Sequence, residues 1–222
     1  SDRPEDKFTF QIGKFDLANI QEFYPIDFEV EGDFIANITG SGVLGKPHFE
    51  MRSLIQDFVY EGYDYGNIYV SGVYDDSLDE VVANTHLMRG QDTLLVMDGA
   101  YHLSDTVSPV DFTLSTIEGV PLNYISPFVE GELSGIDGKV RLNKFNVSGK
   151  LSDPQVNGEG FFDEAGFKVE YLKTRYVLNG KMDFNNQKIL LKDLKVKDGK
   201  GAKAELYGDI RHRALQEFTF NL

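Results

Sequence analysis

Apolar and polar residues alternate with period two along most of the chain, the pattern of strands with one dry and one wet face. Phe34, Ala36 and Ile38 point one way, and Asn37, Thr39 and Ser41 the other. Ile68, Val70, Gly72 and Tyr74 alternate with Asn67, Tyr69, Ser71 and Val73. The same holds for Val110-Phe112-Leu114, Val140-Leu142, Phe167-Val169-Tyr171 and Ala204-Leu206-Gly208-Ile210. Turn signals separate the runs: Gly45-Lys-Pro, Arg89-Gly-Gln-Asp, Asp153-Pro, Asn185-Asn and Asp198-Gly-Lys-Gly. The spacing predicts roughly 14 to 18 short strands in antiparallel sheets. Only 17–24 and 120–129 read as helix. Pro121 suits a first helical turn, and Pro127 should end or kink the second helix. No βαβ alternation occurs, so a doubly wound parallel sheet is not expected.

The two helical segments carry the same triplet, Leu17/Ile20/Phe23 and Leu122/Ile125/Phe128, offset by 105 residues. Gly-Val-Leu-Gly-Lys-Pro from Gly42 and Gly-Lys-Leu-Ser-Asp-Pro from Gly149 are offset by 107. A repeat of this length points to two tandem units, 1–116 and 117–222, in an elongated architecture. Glycines also fall inside the alternating runs: Gly40, Gly42, Gly72, Gly135, Gly138, Gly149, Gly158, Gly160, Gly180 and Gly208. Glycine weakens a strand and marks bulges or bends, so this many predict a strongly curved sheet.

Composition narrows the function. At 41% hydrophobic and 26% charged residues the chain has apolar surface to bury. A net charge of −14 argues against a nucleic-acid partner and against an electrostatic grip on anionic lipid headgroups. The absence of Cys removes disulfides, thiolate metal sites and Cys nucleophiles. No apolar run approaches the roughly 20 residues of a membrane span.

The search for chemistry returns little. His48, His86, His102 and His212 show no metal-pair spacing, and Asp75, Asp76, Asp79 and Glu80 lack that of a calcium loop. No P-loop or nucleophile elbow occurs. The chain is therefore not expected to be an enzyme or to need a cofactor. Tyr60, Tyr63, Tyr65, Tyr69 and Tyr74 could form a carbohydrate platform, but Tyr is also a good strand residue. The apolar stripe Phe34, Ile38, Ile68, Val70, Val140, Leu142, Phe167, Val169, Leu206 and Ile210 has two readings. Periodicity alone favours the dry core of a sandwich; the internal glycines favour an open groove.

A longer pattern bears on that choice. Leu122-Asn-Tyr-Ile-Ser-Pro-Phe-Val is followed by Gly131-x-Leu-x-Gly, Gly138-Lys-Val-Arg-Leu and Val147-Ser-Gly-Lys-Leu. It closes with Asp153-Pro-Gln-Val-Asn-Gly-Glu-Gly and Thr174-Arg-Tyr, with Gly199-Lys-Gly-Ala-Lys-Ala-Glu-Leu-Tyr-Gly further on. In this order the motifs resemble the TamB/AsmA-like family, whose namesake is the inner-membrane subunit of a bacterial translocation and assembly module. The resemblance is good over about 110–222 and weaker over 1–109. It implies an all-β, curved, open antiparallel-rich sheet forming a half-pipe with one or two short helices. It implies a periplasmic location, an inner-membrane anchor outside this stretch, and passage of phospholipid acyl chains along the ten apolar stripe residues. It further implies an Omp85-type outer-membrane partner in β-barrel protein assembly. An edge-pairing interaction module is the alternative, and an adhesin-like or carbohydrate-binding β-sandwich a more distant one.

Overall fold

Among the described residues the alternating runs fold into fourteen strands, and every described pairing within a unit is antiparallel. The computed structural model describes residues 7–23, 27–43, 45–76, 79–150, 153–186, 188–213 and 216–221. Tyr24, Leu44, Leu151 and Ser152, which fall in the segments read above, lie outside them, as does the His212 side chain. The chain divides into two units, Ser1–Phe112 and Thr113–Leu222. The boundary falls inside strand β7 (Val110–Thr116), a few residues before the position expected from the repeat.

The first unit is a meander of β1 (Lys7–Asp16), β2 (Val30–Ser41), β3 (His48–Tyr60), β4 (Tyr63–Asp75), β5 (Glu80–Arg89) and β6 (Asp92–His102), each hydrogen-bonded to the next. Two of its hairpins are set by their loops. Glu61 (φ 49°) and Gly62 (φ 74°) both take positive φ, as a type I′ turn requires, between paired Tyr60 and Tyr63. Gly90 (φ 62°) supplies the positive φ that opens the Gly90-Gln91 loop between paired Arg89 and Asp92. In the second unit β8 (Val120–Pro121) pairs with β9 (Leu133–Lys150). There follow β10 (Asp153–Val169), β11 (Thr174–Asn186), β12 (Lys188–Asp198), β13 (Lys203–Arg213) and β14 (Gln216–Asn221). The first and last strands of neither unit pair with each other, so each sheet is open.

Both sheets are bent by bulges. Every pairing among β9 to β14 carries a register shift, and so do four of the five among β1 to β6. An extra residue on one strand kinks it and increases its twist. Asp57 and Glu164 sit at such shifts with φ 50° and 48°. In each case the backbone N–H donates to an Asn side chain on the next strand, Asp57 to Asn67 and Glu164 to Asn179, both at 2.9 Å. The same device thus serves both units: an Asn carbonyl satisfies the amide that the bulge takes out of the ladder.

The strands are longer than the alternating runs suggest. β9 has 18 residues and β10 has 17, because Gly135, Gly138 and Gly149 bend β9 without ending it. The helical segments are shorter than expected. A 3-10 turn (Leu17–Asn19), capped by Asp16 accepting from Ala18 N–H, leads into one α-turn (Ile20–Phe23). The second is a 3-10 helix, Leu122–Phe128, with Pro121 at its N-cap and paired to Lys139 as part of β8, not inside a first helical turn. It buries Leu122 and Tyr124 and leaves Phe128 70% exposed, so the triplet Leu122/Ile125/Phe128 is not its packing face. Few apolar side chains are fully buried among the described residues: Ala36, Val110, Leu122, Tyr124, Val156, Ala165, Leu191 and Leu194. Single bent sheets leave the rest half-covered or exposed, Phe10 and Tyr207 among the latter.

Candidate functional site

Residues directly opposite each other in paired strands share a face, so the register fixes which side chains stand together. In the first unit four rows cross β1 to β6. They read Phe8-Gly40-Phe49-Tyr74-Val81-Tyr101, then Phe10-Ile38-Met51-Gly72-Ala83-Gly99. The next two are Ile12-Ala36-Ser53-Val70-Thr85-Met97 and Phe15-Phe34-Ile55-Ile68-Leu87-Leu95. No charged residue enters these four rows, and their only polar side-chain atoms are the hydroxyls of Ser53, Thr85, Tyr74 and Tyr101; beyond the first row Asp76 accepts from the Tyr74 hydroxyl. The opposite face is mixed: its rows read Thr39-Glu50-Val73-Val82-Ala100, Asn37-Arg52-Ser71-Asn84-Asp98 and Ile35-Leu54-Tyr69-His86-Val96.

Glycines on the apolar face leave room for rings. A Cβ on Gly40 would lie 2.4 Å from the Phe8 ring and 2.9 Å from that of Phe49, so the Phe8 ring occupies the space a side chain would take. Phe8, Phe49 and Tyr74 form a chain of aromatic contacts at 6.1 and 5.9 Å.

The second unit repeats the arrangement. Leu142-Gly160-Met182-Leu191-Gly208 and Gly158-Phe184-Ile189-Ile210 are rows, as are Val140-Phe162-Gly180 and Ala165-Leu178-Val196-Ala204. Leu194-Leu206, Phe167-Tyr176 and Leu133-Val169-Thr174 extend the face. The Phe145 ring joins it across the Gly158 gap, 4.9 Å from that of Phe184. These rows are free of charge except where Phe167-Tyr176 runs on to Asp198 at its end.

The structure places all ten stripe residues on these two faces, each half-buried: Phe34, Ile38, Ile68 and Val70 in the first unit, and Val140, Leu142, Phe167, Val169, Leu206 and Ile210 in the second. Sequence reading missed Phe10, Phe49, Met51, Met97, Phe145, Phe162, Met182 and Phe184, which share them. Their signal was the same alternation. Bulges shift the parity along β9 and β10, so Phe145 and Phe162 cannot be assigned by counting twos through Lys144 and Glu164.

Charges gather on the other face of the second unit. Lys181 contacts Glu159 at 2.5 Å and Asp183 at 3.1 Å, and Lys192 contacts Asp183 at 2.7 Å. These cations hold the Asp183 and Glu159 carboxyls below their ordinary range through hydrogen bonds. Glu170 accepts from Lys173, Ser134 and Lys168, in falling order of effect, which pulls its pKa down to about 2. Arg175 grips Asp137 through one nitrogen at 2.6 and 2.7 Å and donates with the other to the Gly135 carbonyl. These pairs lie at or near the surface, where water screens them, and their role is structural.

The net charge divides unevenly between the units. Ser1–Phe112 has 6 Lys and Arg against 21 Asp and Glu, a net −15; Thr113–Leu222 has 16 against 15, a net +1. The acidity of the chain as a whole therefore describes its first unit alone.

The remaining sequence candidates go to local structure. Tyr60, Tyr65, Phe28 and Phe58 cluster around the β3–β4 hairpin, with centroids 5.7 to 6.4 Å apart, while Tyr69 points to the polar face. Asp79 accepts from the Ser104 amide, and Asp76 from the Tyr74 hydroxyl. Among the described residues no group of three His, Cys, Asp or Glu is placed to hold a metal ion, and no helix is long and apolar enough to cross a membrane.

The chain matches no family model, no curated protein and no solved structure. The geometry of the faces is accordingly what bears on function.

Proposed function

We propose that this chain is a periplasmic segment of a bridge-like protein that shields phospholipid acyl chains along its apolar sheet faces, as the resemblance to the TamB/AsmA-like family implies. One observation carries the reading: within each unit the central rows of one sheet face are free of charge, with Asp76 and Asp198 only at their margins, and among the described residues the unit contains no second sheet to cover it. Each methylene taken from water gains about 0.8 kcal/mol, so a sixteen-carbon tail laid on such a face gains about 10 kcal/mol before entropic losses. The backbone of a sheet is already satisfied by its neighbours, so it asks nothing polar of the tail. Headgroups remain in solvent, and no catalytic residue is involved.

The test is photo-crosslinking in cells at Ile38, Val140 and Val169, with Lys139 and Lys168 on the polar face as controls, followed by mass spectrometry of the purified adducts. Phospholipid captured at the first three and not at the lysines is the expected result. Capture at neither set, with a folded monomer, removes the lipid reading.

One observation favours a second role. β1 is an open edge of its sheet, and Phe8 and Phe10 stand 42% and 56% exposed on it. Such an edge can accept a strand from a partner such as an Omp85-type protein. Pairing uses the β1 backbone, so charges placed on Val140 or Val169 leave it intact.

A further inference from the structure

Four pairs of cations stand directly opposite each other across strands of the second unit: Lys168/Arg175, Lys181/Lys192, Lys188/Arg211 and Lys197/Lys203. Like charges at this position are unfavourable, so each needs a counter-charge. Three have one. Glu170 and Asp137 serve Lys168 and Arg175 at 2.9 and 2.6 Å. Asp183 lies between Lys181 and Lys192, and Asp209 between Lys188 and Arg211 at 3.9 and 3.2 Å. Lys197 and Lys203 have no carboxylate within ion-pair distance among the described residues.

The exception coincides with a depression. This depression, of about 640 Å³, lies over this part of β11 to β13, lined by Val177, Asn179, Lys195, Lys197, Lys203 and Glu205, with Val196 and Ala204 between them in its floor. The first six form two neighbouring rows on the polar face, Val177-Lys197-Lys203 and Asn179-Lys195-Glu205. The volume lies in the range of small-ligand pockets. Three lysines against one carboxylate leave it cationic. Glu205 stands opposite Lys195 and accepts from the Tyr207 hydroxyl at 2.7 Å, while Asp198 Oδ1 is turned to the Lys200 and Ala202 amides of the adjoining turn, so the pair left without a carboxylate is Lys197 and Lys203. Asn179 is tied to Glu164, so the lysines are the free donors of the lining.

We propose that the depression bounded by Lys195, Lys197 and Lys203 binds a phosphate group. Lysine ammoniums act on phosphate as mobile point charges, and a phosphate between Lys197 and Lys203 replaces the missing carboxylate. The phosphate could belong to a free phosphorylated molecule or to a phospholipid headgroup. The site lies on the face opposite the apolar rows, so it stands independently of the acyl-chain reading.

The experiment is an amide chemical-shift titration of the whole chain at physiological ionic strength, first with inorganic phosphate and then with phosphatidylglycerol vesicles. Neutral phosphatidylcholine vesicles serve as the control. Saturable shifts confined to the amides around Lys195–Lys197 and Lys203–Glu205 are expected with at least one phosphate source. Lys203→Glu restores an opposite-charge pair with Lys197, so it should fold with a Tm no lower than wild type and still lose binding at least about tenfold. Lys203→Arg should retain it. Saturation by free phosphate without vesicle binding assigns a small-molecule site; vesicle binding lost in Lys203→Glu, without response to free phosphate, assigns a headgroup site. Absence of saturable shifts with both sources, or equal binding by Lys203→Glu and wild type, overturns the proposal. Crosslinks from Ile38, Val140 and Val169 are unaffected by either result.

Discussion

Replacing Ile38 with Asp puts a charge in the middle of the first unit's apolar face, opposite Phe10 on one strand and Met51 on the other. Ile38 is half-buried, so about half of the 1.5–3 kcal/mol gained by fully burying such a side chain is lost, about 1 kcal/mol. The poor strand propensity of Asp adds up to about 1 kcal/mol. The carboxylate itself still reaches water from a face without a second layer, so the large desolvation penalty does not arise. The expected loss is therefore about 1–2 kcal/mol, read as a lower urea midpoint with unchanged m-value. In a closed two-layer core the same change would bury an unpaired charge and cost more than about 4 kcal/mol. A loss of that size, or a protein that no longer folds, refutes the open-face argument. If the variant folds while lipid crosslinking at Val70, in the neighbouring row, disappears, stability and passage have been separated.

Gly138 has φ 84°, and a Cβ there would lie 2.1 Å from the Glu164 carbonyl oxygen, whereas Gly131 has φ 88° with nothing within 4 Å. Gly131→Ala should cost about 1–2 kcal/mol from backbone conformation alone, and Gly138→Ala a further 1–3 kcal/mol from the clash, both measured by urea unfolding. The Glu170 carboxyl has its pKa lowered from 4.5 to about 2, so its ionised form stabilises the fold. That contribution is complete above pH 4.5 and is lost as the pH falls towards 2. Glu170→Gln should flatten the acid limb of a midpoint-against-pH curve in that window; an unchanged limb refutes the assignment. Asp183→Ala leaves Lys181 and Lys192 opposed without their shared carboxylate, so it should lower stability and make it rise with added salt, whereas wild type responds less.

The faces were legible because alternation survives wherever a strand pairs without interruption, as in Phe34-Ala36-Ile38 and Ile68-Val70-Gly72-Tyr74. The ends of strands were not. Gly135, Gly138 and Gly149 punctuate β9 in sequence, yet the strand continues through all three. A glycine at positive φ serves a turn or a bulge equally well, and the partner backbone, such as the Glu164 carbonyl against Gly138, decides between them. The triplet spacing announced helices but not their packing: in turns this short the neighbouring sheet chooses the buried side chains, here Leu122 and Tyr124. The phosphate site was hidden by the net charge, because 21 of the 36 acidic residues lie in the first unit and mask the lysines of the second.

The meander has a consequence for how the protein comes into being. In each unit nearly every contact between strands joins a strand to the one just before or just after it in the chain. Loop-closure entropy is therefore small at every step, and each hairpin can add to an existing edge without waiting for distant sequence. A chain delivered from its N-terminus, by a ribosome or through a translocation pore, can assemble in the order of its arrival. The growing edge always presents the template that the next strand needs.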